Sequence, residues 1–554
     1  MSDPGSVTLV AAEVAHIQDY IFSSNRLKEN IGASFLVGAA TEAWALDAVR
    51  EVASTSNVSA RREILPDWHI EQDSTLNAEV VYSGGGNFVA IFRSEDLARD
   101  FSRSLSTRVL LEAPGLHLIL HSREHRWSDR SLAEVVRDLL LELKQARGLQ
   151  PQRTELTGLS VTAMCDSSSL PAVKLYTDQD GDRRLQSAEV ASKYAYVPRA
   201  NDVLEAMGAL DSQFRFPLDF DDLGRTDDEK SFIAVVHADG NGLGCLLSSI
   251  GQNYARIKDN SRYIDALRGF SERVKRASEE ALKGTLRTLQ DAIGKDGTLL
   301  HHFSGQAPLK VKRIGSQFNL PFRPLIFGGD DVTFVCDGRI GIAIALEFIR
   351  QFQAATAVQF GAPLTACAGI AIVKSHYPFA RAYELAEDLC QTAKSFARGL
   401  KKDDDALTPS AIDWHFTAGG LYGELKAMRR REYPAPLGQQ SLTLRPVVID
   451  DVAHPFRRWT YVERAATGFQ MGKWSGSRGK AKALMDVLRQ GPQAVAAYST
   501  RYLVDDELML PELPGFSDGS GWDQGYCGYY DALELMDLYV PLLPWKKEIP
   551  DAQS

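Results

Sequence analysis

The chain has 554 residues, 44% hydrophobic and 24% charged, with a formal charge of −10. That length exceeds what one core can organise and predicts roughly two to four domains of ordinary globular composition. The acidic balance argues against a nucleic-acid coat, the apolar runs fall short of a membrane span, and the opening Met-Ser-Asp-Pro-Gly has no basic or apolar signal segment. Six scattered cysteines with no Cys-x-x-Cys pair exclude a disulfide frame and a zinc module, and fit reduced thiols in the cytoplasm.

Residues 7–14 predict a strand and 31–52 a helix. Residues 79–92 predict a hairpin around Gly84, Gly85, Gly86 and Asn87. A helix (95–111), a strand (116–121) and a helix (131–147) complete a first unit over 1–150. Its glycine turn either copies an architecture or seats a nucleotide through its backbone. Residues 151–228 form an α/β or helical connection, with a loop at 178–184.

Residues 232–236 predict a buried strand that ends in Asp239, followed by a loop with Gly240, Asn241, Gly242 and Gly244. Small residues there let a phosphate or a metal approach the backbone, and a helix after them offers free N–H groups. The pattern is neither a P-loop nor a dinucleotide fingerprint. A helix over 262–292 leads to a hairpin that turns at Gly328 and Gly329, with Asp330 and Asp331 entering the second strand. Two carboxylates at the mouth of a buried hairpin repel each other unless a cation sits there. Asp-rich turns are also common as solvated tips, and on the turn alone the two readings stand level.

A helix (340–355), a strand (364–373) and a helix from Pro378 follow, with Ala382, Leu385, Ala386, Leu389, Cys390 and Ala393 on one face. Residues 229–408 thus read as a βαββαβ unit. In it the first strand lies beside the hairpin, so Asp239, Asp330 and Asp331 converge as carboxylates suited to two metal ions on a nucleoside triphosphate. Aligning the two units sets Glu13 against Asp239, Gly86 against Asp330 and Asn87 against Asp331. The first unit therefore lacks the carboxylate pair. Residues 409–554 read as a helical domain, with helices near 480–488 and 494–502. Trp414 and His415 have no assigned role. The basic clusters 310–313 and 426–431 read as solvated surface.

The motifs in order are His16-Ile17-Gln18-Asp19-Tyr20-Ile21-Phe22, Gly84-Gly85-Gly86-Asn87-Phe88, Ala238-Asp239-Gly240-Asn241-Gly242-Leu243-Gly244, Gly328-Gly329-Asp330-Asp331, and His376-Tyr377-Pro378 leading to Ala393-Lys394. Together they resemble the large palm-polymerase subunit of type III CRISPR effector complexes. The fold class implied is α+β, with two ferredoxin-like palms and helical domains. The resemblance implies an ATP polymerase-cyclase that makes cyclic oligoadenylates for antiviral defence. By position, Asp239, Asp330 and Asp331, with the carbonyl of Gly240, would hold two Mg²⁺ or Mn²⁺ ions, and Lys394 would contact the triphosphate. Nucleotide contacts fall on Gly240, Asn241, Gly242, Gly244, Gly328 and Gly329 in the second palm and on Gly84–Asn87 in the first. Guide or target RNA, other effector-complex subunits and a cyclic-nucleotide-activated effector are the implied partners; no membrane is, and self-association stays open. The chain starts directly with the first palm and has no His-Asp dipeptide, so a compact form without the nuclease domain is expected. A diguanylate-type cyclase and a non-catalytic nucleotide- or RNA-binding scaffold remain the alternatives.

Overall fold

The computed structural model describes residues 4–149, 161–178, 181–223, 232–299, 309–401, 407–417, 423–449, 454–503, 507–516 and 519–542. It divides into two compact units. One comprises Met1–Met207, Gly242–Ser278 and Gly328–Asp330; the other comprises Gly208–Asn241, Glu279–Phe327 and Asp331–Ser554. The long helix Asn260–Asp291 begins in the first and ends in the second.

The first unit is built on a four-stranded antiparallel sheet. Its strands lie in the order Ala78–Gly84, Asn87–Phe92, Ser6–Ala15, His117–Arg126. Both faces are covered, which is why Val7 to Ala12 are almost wholly buried without polar alternation. Phe88 and Phe92 stack on Phe101 of the helix Glu95–Glu112. Val7, Leu9 and Ala11 share a cluster with Leu139 and Leu143 of the helix Leu132–Leu149 and with Ile264 of the long helix.

Two expectations change here. The single helix over 31–52 is two helices, Leu27–Thr41 and Ala43–Val52, broken at Glu42 (φ −108°, ψ −92°), whose carboxylate pairs with Lys275 at 2.9 Å. The strand expected at 116–121 runs on to Arg126, because its polar residues find partners. His121 and Arg123 both bond Glu142, at 3.1 and 2.9 Å. The loop at 178–184 is the tip of a hairpin between Lys174–Thr177 and Arg183–Gln186, with 179–180 outside the described residues.

The second unit holds a six-stranded sheet in the order Phe322–Ile326, Asp331–Asp337, Phe232–Gly240, Ala366–Lys374, Ala411–Thr417, Val447–Val448. The helices Gly341–Phe360 and Phe379–Gly399 pack against it. The second approaches very closely: a Cβ on Gly369 would lie 2.0 Å from the carbonyl oxygen of Ala386. Only glycine permits that contact.

The sheet does not stop at the expected end of the second palm. Ala411–Thr417, placed in a helical domain by the sequence reading, pairs parallel to Ala366–Lys374. Its Trp414 is fully buried, and Arg445 lies 5.1 Å above the Trp414 ring and 4.8 Å above that of Tyr433. Arg445 in turn pairs with Asp531 (2.9 Å) and with Glu534. Helices follow at Trp459–Gln470, Arg478–Leu488 and Pro492–Tyr498, the last running into a π-turn at Ser499–Leu503. The architecture is α+β, with two palm sheets and a largely helical C-terminal part.

Candidate active site

The strand Phe232–Gly240 is buried from Ile233 to Ala238, so it stays in the sheet until the chain reaches Asp239 and Gly240 at its end. Asp239 pairs in register with Asp331 on one side and with Cys367 on the other. Directly opposed residues in an antiparallel pair lie about 4.5–5.5 Å apart at Cα. Two carboxylates therefore face each other across the strand pair, and Asp330 sits one residue earlier, exposed at the turn. Gly328 has φ +105°, a conformation that makes the reversal before them cheap only for glycine.

A cation already sits on one member of this pair. Lys394, on the helix Phe379–Gly399, is 6% exposed, and its ammonium donates to the Oδ2 of Asp239 and to the Gly240 carbonyl (3.3 Å). His237, two residues before Asp239, has Nδ1 3.2 Å from Asp331 Oδ1 and 3.2 Å from Thr333 Oγ1. Its ring meets Tyr383 edge-on at 5.6 Å. Burial holds its pKa below the usual histidine value, against the pull of the Asp239 charge. Burial also raises the thiols of Cys367 and Cys390 beneath the pair.

The loop after Asp239 is held from inside its own unit. Asn241 donates through its side chain to Thr365 Oγ1 (3.0 Å) and through its backbone to the Thr365 carbonyl (2.8 Å). Gly242, at φ +78°, caps the helix Leu243–Asn253, and Gly244 is exposed in its first turn.

The first palm repeats the framework with different chemistry. Glu13 pairs in register with Asn87, as the alignment of the two units predicts. Glu13 is bound by Arg147 at 2.6 Å. Gly84, Gly85 and Gly86 all have positive φ, and Asn87 turns its amide back to the Gly85 carbonyl at 3.1 Å. Burial and then the charge of Asp330 push the Tyr82 hydroxyl up to about 12.

The structure thus brings Asp239, Asp331, Gly240 and Lys394 together. Among the described residues, no three His, Cys, Asp or Glu side chains form a metal-holding cluster. The expected three-carboxylate convergence is therefore a facing pair plus a turn residue. His237 and Arg147 were missed in the sequence. The signal for His237 is its period-two spacing from Asp239, which puts both on one face of the strand. No comparable signal marks Arg147.

Residues 232–403 match the family described as Cas10/Cmr2, second palm domain. No curated protein matches the chain by sequence. Among solved structures, the chain is similar to Csm1 from T. onnurineus, with TM-score 0.50, 14% identity, and coverage of 97% of this chain and 70% of that one. It is similar to the same extent to a chain of a Csm1–Csm4 cassette crystallised in complex with AMPPNP, at TM-score 0.50, 14% identity and the same two coverages. At such identity the likeness is one of fold. Among the described residues no helix is long and apolar enough to cross a membrane. Residues 232–403 thus match the Cas10/Cmr2 second palm domain, in a chain whose fold is similar to that of Csm1.

Proposed function

We propose that the chain is a palm-type nucleotidyltransferase that converts ATP into cyclic oligoadenylates. The observation that carries this is the register of Asp239 on Asp331 beneath a glycine turn, with a lysine in reach. The AMPPNP bound by a cassette of similar fold supports an adenosine triphosphate as substrate. The donor set fits Mg²⁺ or Mn²⁺. Magnesium takes one or two carboxylates and completes its shell with substrate phosphates and water. Here two facing carboxylates and the Gly240 carbonyl are present, and an ammonium already sits on two of those three groups as a stand-in cation.

In this reading Asp239, Asp331 and the Gly240 carbonyl would hold the metal, with Asp330 the neighbouring residue in sequence. Such ions stabilise the attacking and leaving oxygens of a phosphoryl transfer. The 3′-hydroxyl oxygen of one nucleotide forms the new bond to the α-phosphorus of another. The α–β bridging bond breaks, pyrophosphate leaves, and the hydroxyl proton passes to water. Lys394 neutralises charge on the triphosphate. The Gly84–Asn87 turn seats a second nucleotide through its backbone, without metal. A partner subunit is proposed from the Csm1–Csm4 pairing of the similar cassette.

The test is incubation with labelled ATP or GTP and Mn²⁺, with and without RNA, and sizing of the phosphatase-resistant product. A ring of adenylates is expected. A guanylate product, or none under any condition, would replace this reading with the cyclase or scaffold alternative.

A further inference from the structure

A lysine on a buried helix face is costly unless it is paired. Lys394 lies on the face of Phe379–Gly399 that also buries Cys390, Ala393 and Ala397, and that helix is locked onto the sheet at Gly369. Solvent does not satisfy its ammonium; Asp239 Oδ2 and the Gly240 carbonyl do. These are the oxygens the proposed function gives to the metal. An ammonium and a divalent ion cannot share them. We infer that Lys394 is a tethered counter-ion of the ligand-free site. It holds Asp239 and Gly240 until a metal–triphosphate complex arrives, then moves from the carboxylate to the phosphates. The inference rests on the reading of Asp239 as a metal ligand and adds a competition that the reading alone does not contain.

Two further observations support it. Asp239 faces Asp331 directly, so the empty site needs positive charge to relieve the repulsion. The first palm has a more exposed counterpart: Glu13 is bound by Arg147, whose side chain is 44% exposed and which lies fifteen residues beyond the start of its helix, as Lys394 does in its own. There the facing residue is Asn87, so the acid and its tethered cation persist where the carboxylate pair is absent. A cation anchored at this helix position thus accompanies the strand-end acid in both palms.

The consequence is linkage. Metal without nucleotide must displace Lys394 with nothing to receive it, whereas metal with ATP supplies an anion for the released ammonium. Metal affinity is therefore low alone and raised by the triphosphate. Replacing Lys394 with an uncharged side chain removes the competitor.

The experiment is Mn²⁺ titration of the full chain without nucleotide, followed by the EPR signal of free Mn²⁺, for wild type, Lys394→Met, Lys394→Arg and Asp239→Asn, with thermal melts alongside. Lys394→Met is expected to bind Mn²⁺ about tenfold more tightly than wild type, the equivalent of about 1.4 kcal/mol. Lys394→Arg keeps the charge and is expected to bind no more tightly than wild type. Asp239→Asn is expected to bind least. Equal Mn²⁺ affinity in folded Lys394→Met and wild type overturns the counter-ion and leaves the metal site standing. So does an Arg variant that gains affinity as Met does; it serves as the control if the Met variant fails to fold. Absence of Mn²⁺ binding in every protein, with ATP added as well, overturns the metal site and the counter-ion together.

Discussion

Asp239 and Asp331 are cross-strand partners, and the ammonium of Lys394 rests on the first of them. This asymmetry separates two substitutions that look alike. Asp331→Asn removes one of two repelling charges and is expected to leave the melting temperature unchanged or raised. Asp239→Asn strands Lys394, whose side chain is 8% exposed, and is expected to cost about 1–3 kcal/mol. Both should lower nucleotidyl transfer at least about a hundredfold. Thermal melts beside a pyrophosphate assay check the pair of outcomes; equal melting shifts contradict the Lys394 assignment.

Gly369→Ala tests the mount of the lysine. The added methyl group would meet the Ala386 carbonyl oxygen at 2.0 Å and must push the helix Phe379–Gly399 away from the sheet. A loss of about 2–3 kcal/mol is expected from such overpacking, with activity falling further than stability alone explains. Urea unfolding with activity measured under folded conditions gives both numbers.

The two units should respond to pH in opposite directions. His69 bonds Glu79 at 3.0 Å and lies 3.3 Å from Asp265; the Glu79 contact raises its pKa above the usual value. Its stabilisation is complete below the unfolded value of about 6.5 and is lost as pH rises through the folded one. His415 is the reverse. Burial, and then the charges of Arg445 and Arg429, depress it to about 3 despite Glu432 at 3.2 Å. Its neutral form is stabilising above about 6.5, and stability falls progressively from there towards pH 3. His69→Gln should flatten the alkaline limb of the stability profile and His415→Gln the acid limb. Hydrogen exchange followed separately in the two units across pH resolves them.

Arg445 should be among the costliest surface-remote residues to replace. It is buried, lies over Trp414 and Tyr433, and pairs with Asp531 and Glu534. Arg445→Leu leaves the buried Asp531 carboxylate without its cation and is expected to cost about 3–5 kcal/mol. A double variant, Arg445→Leu with Asp531→Leu, should recover part of that loss in a denaturant series.

These particulars show where sequence carried the fold and where it did not. The strands ending in Asp239 and beginning at Asp331 were legible because unbroken apolar runs stop at glycine-rich turns, and period and punctuation agree there. The Glu13–Asn87 register followed from aligning two hairpins. The strand Ala411–Thr417 alternates apolar and polar residues as a half-exposed strand does, yet Asp413 and His415 are fully buried, so its place inside the sheet was not legible. Only in three dimensions does Arg429 bond Asp413, at 2.6 and 2.9 Å, and make that burial tolerable. The break at Glu42 depends on Lys275, far along the chain. Lys394 was legible as part of a motif, but its contact with Asp239 spans 155 positions and no local pattern encodes it.

The most direct measurement is pyrophosphate release from ATP by the full chain with Mn²⁺ and RNA, compared between wild type and Asp331→Asn of equal melting temperature. The expected result is steady release by wild type, with a cyclic adenylate product, and release at least about a hundredfold slower from the variant. Release at the wild-type rate from folded Asp331→Asn would contradict the assignment of the facing carboxylates as the site of chemistry.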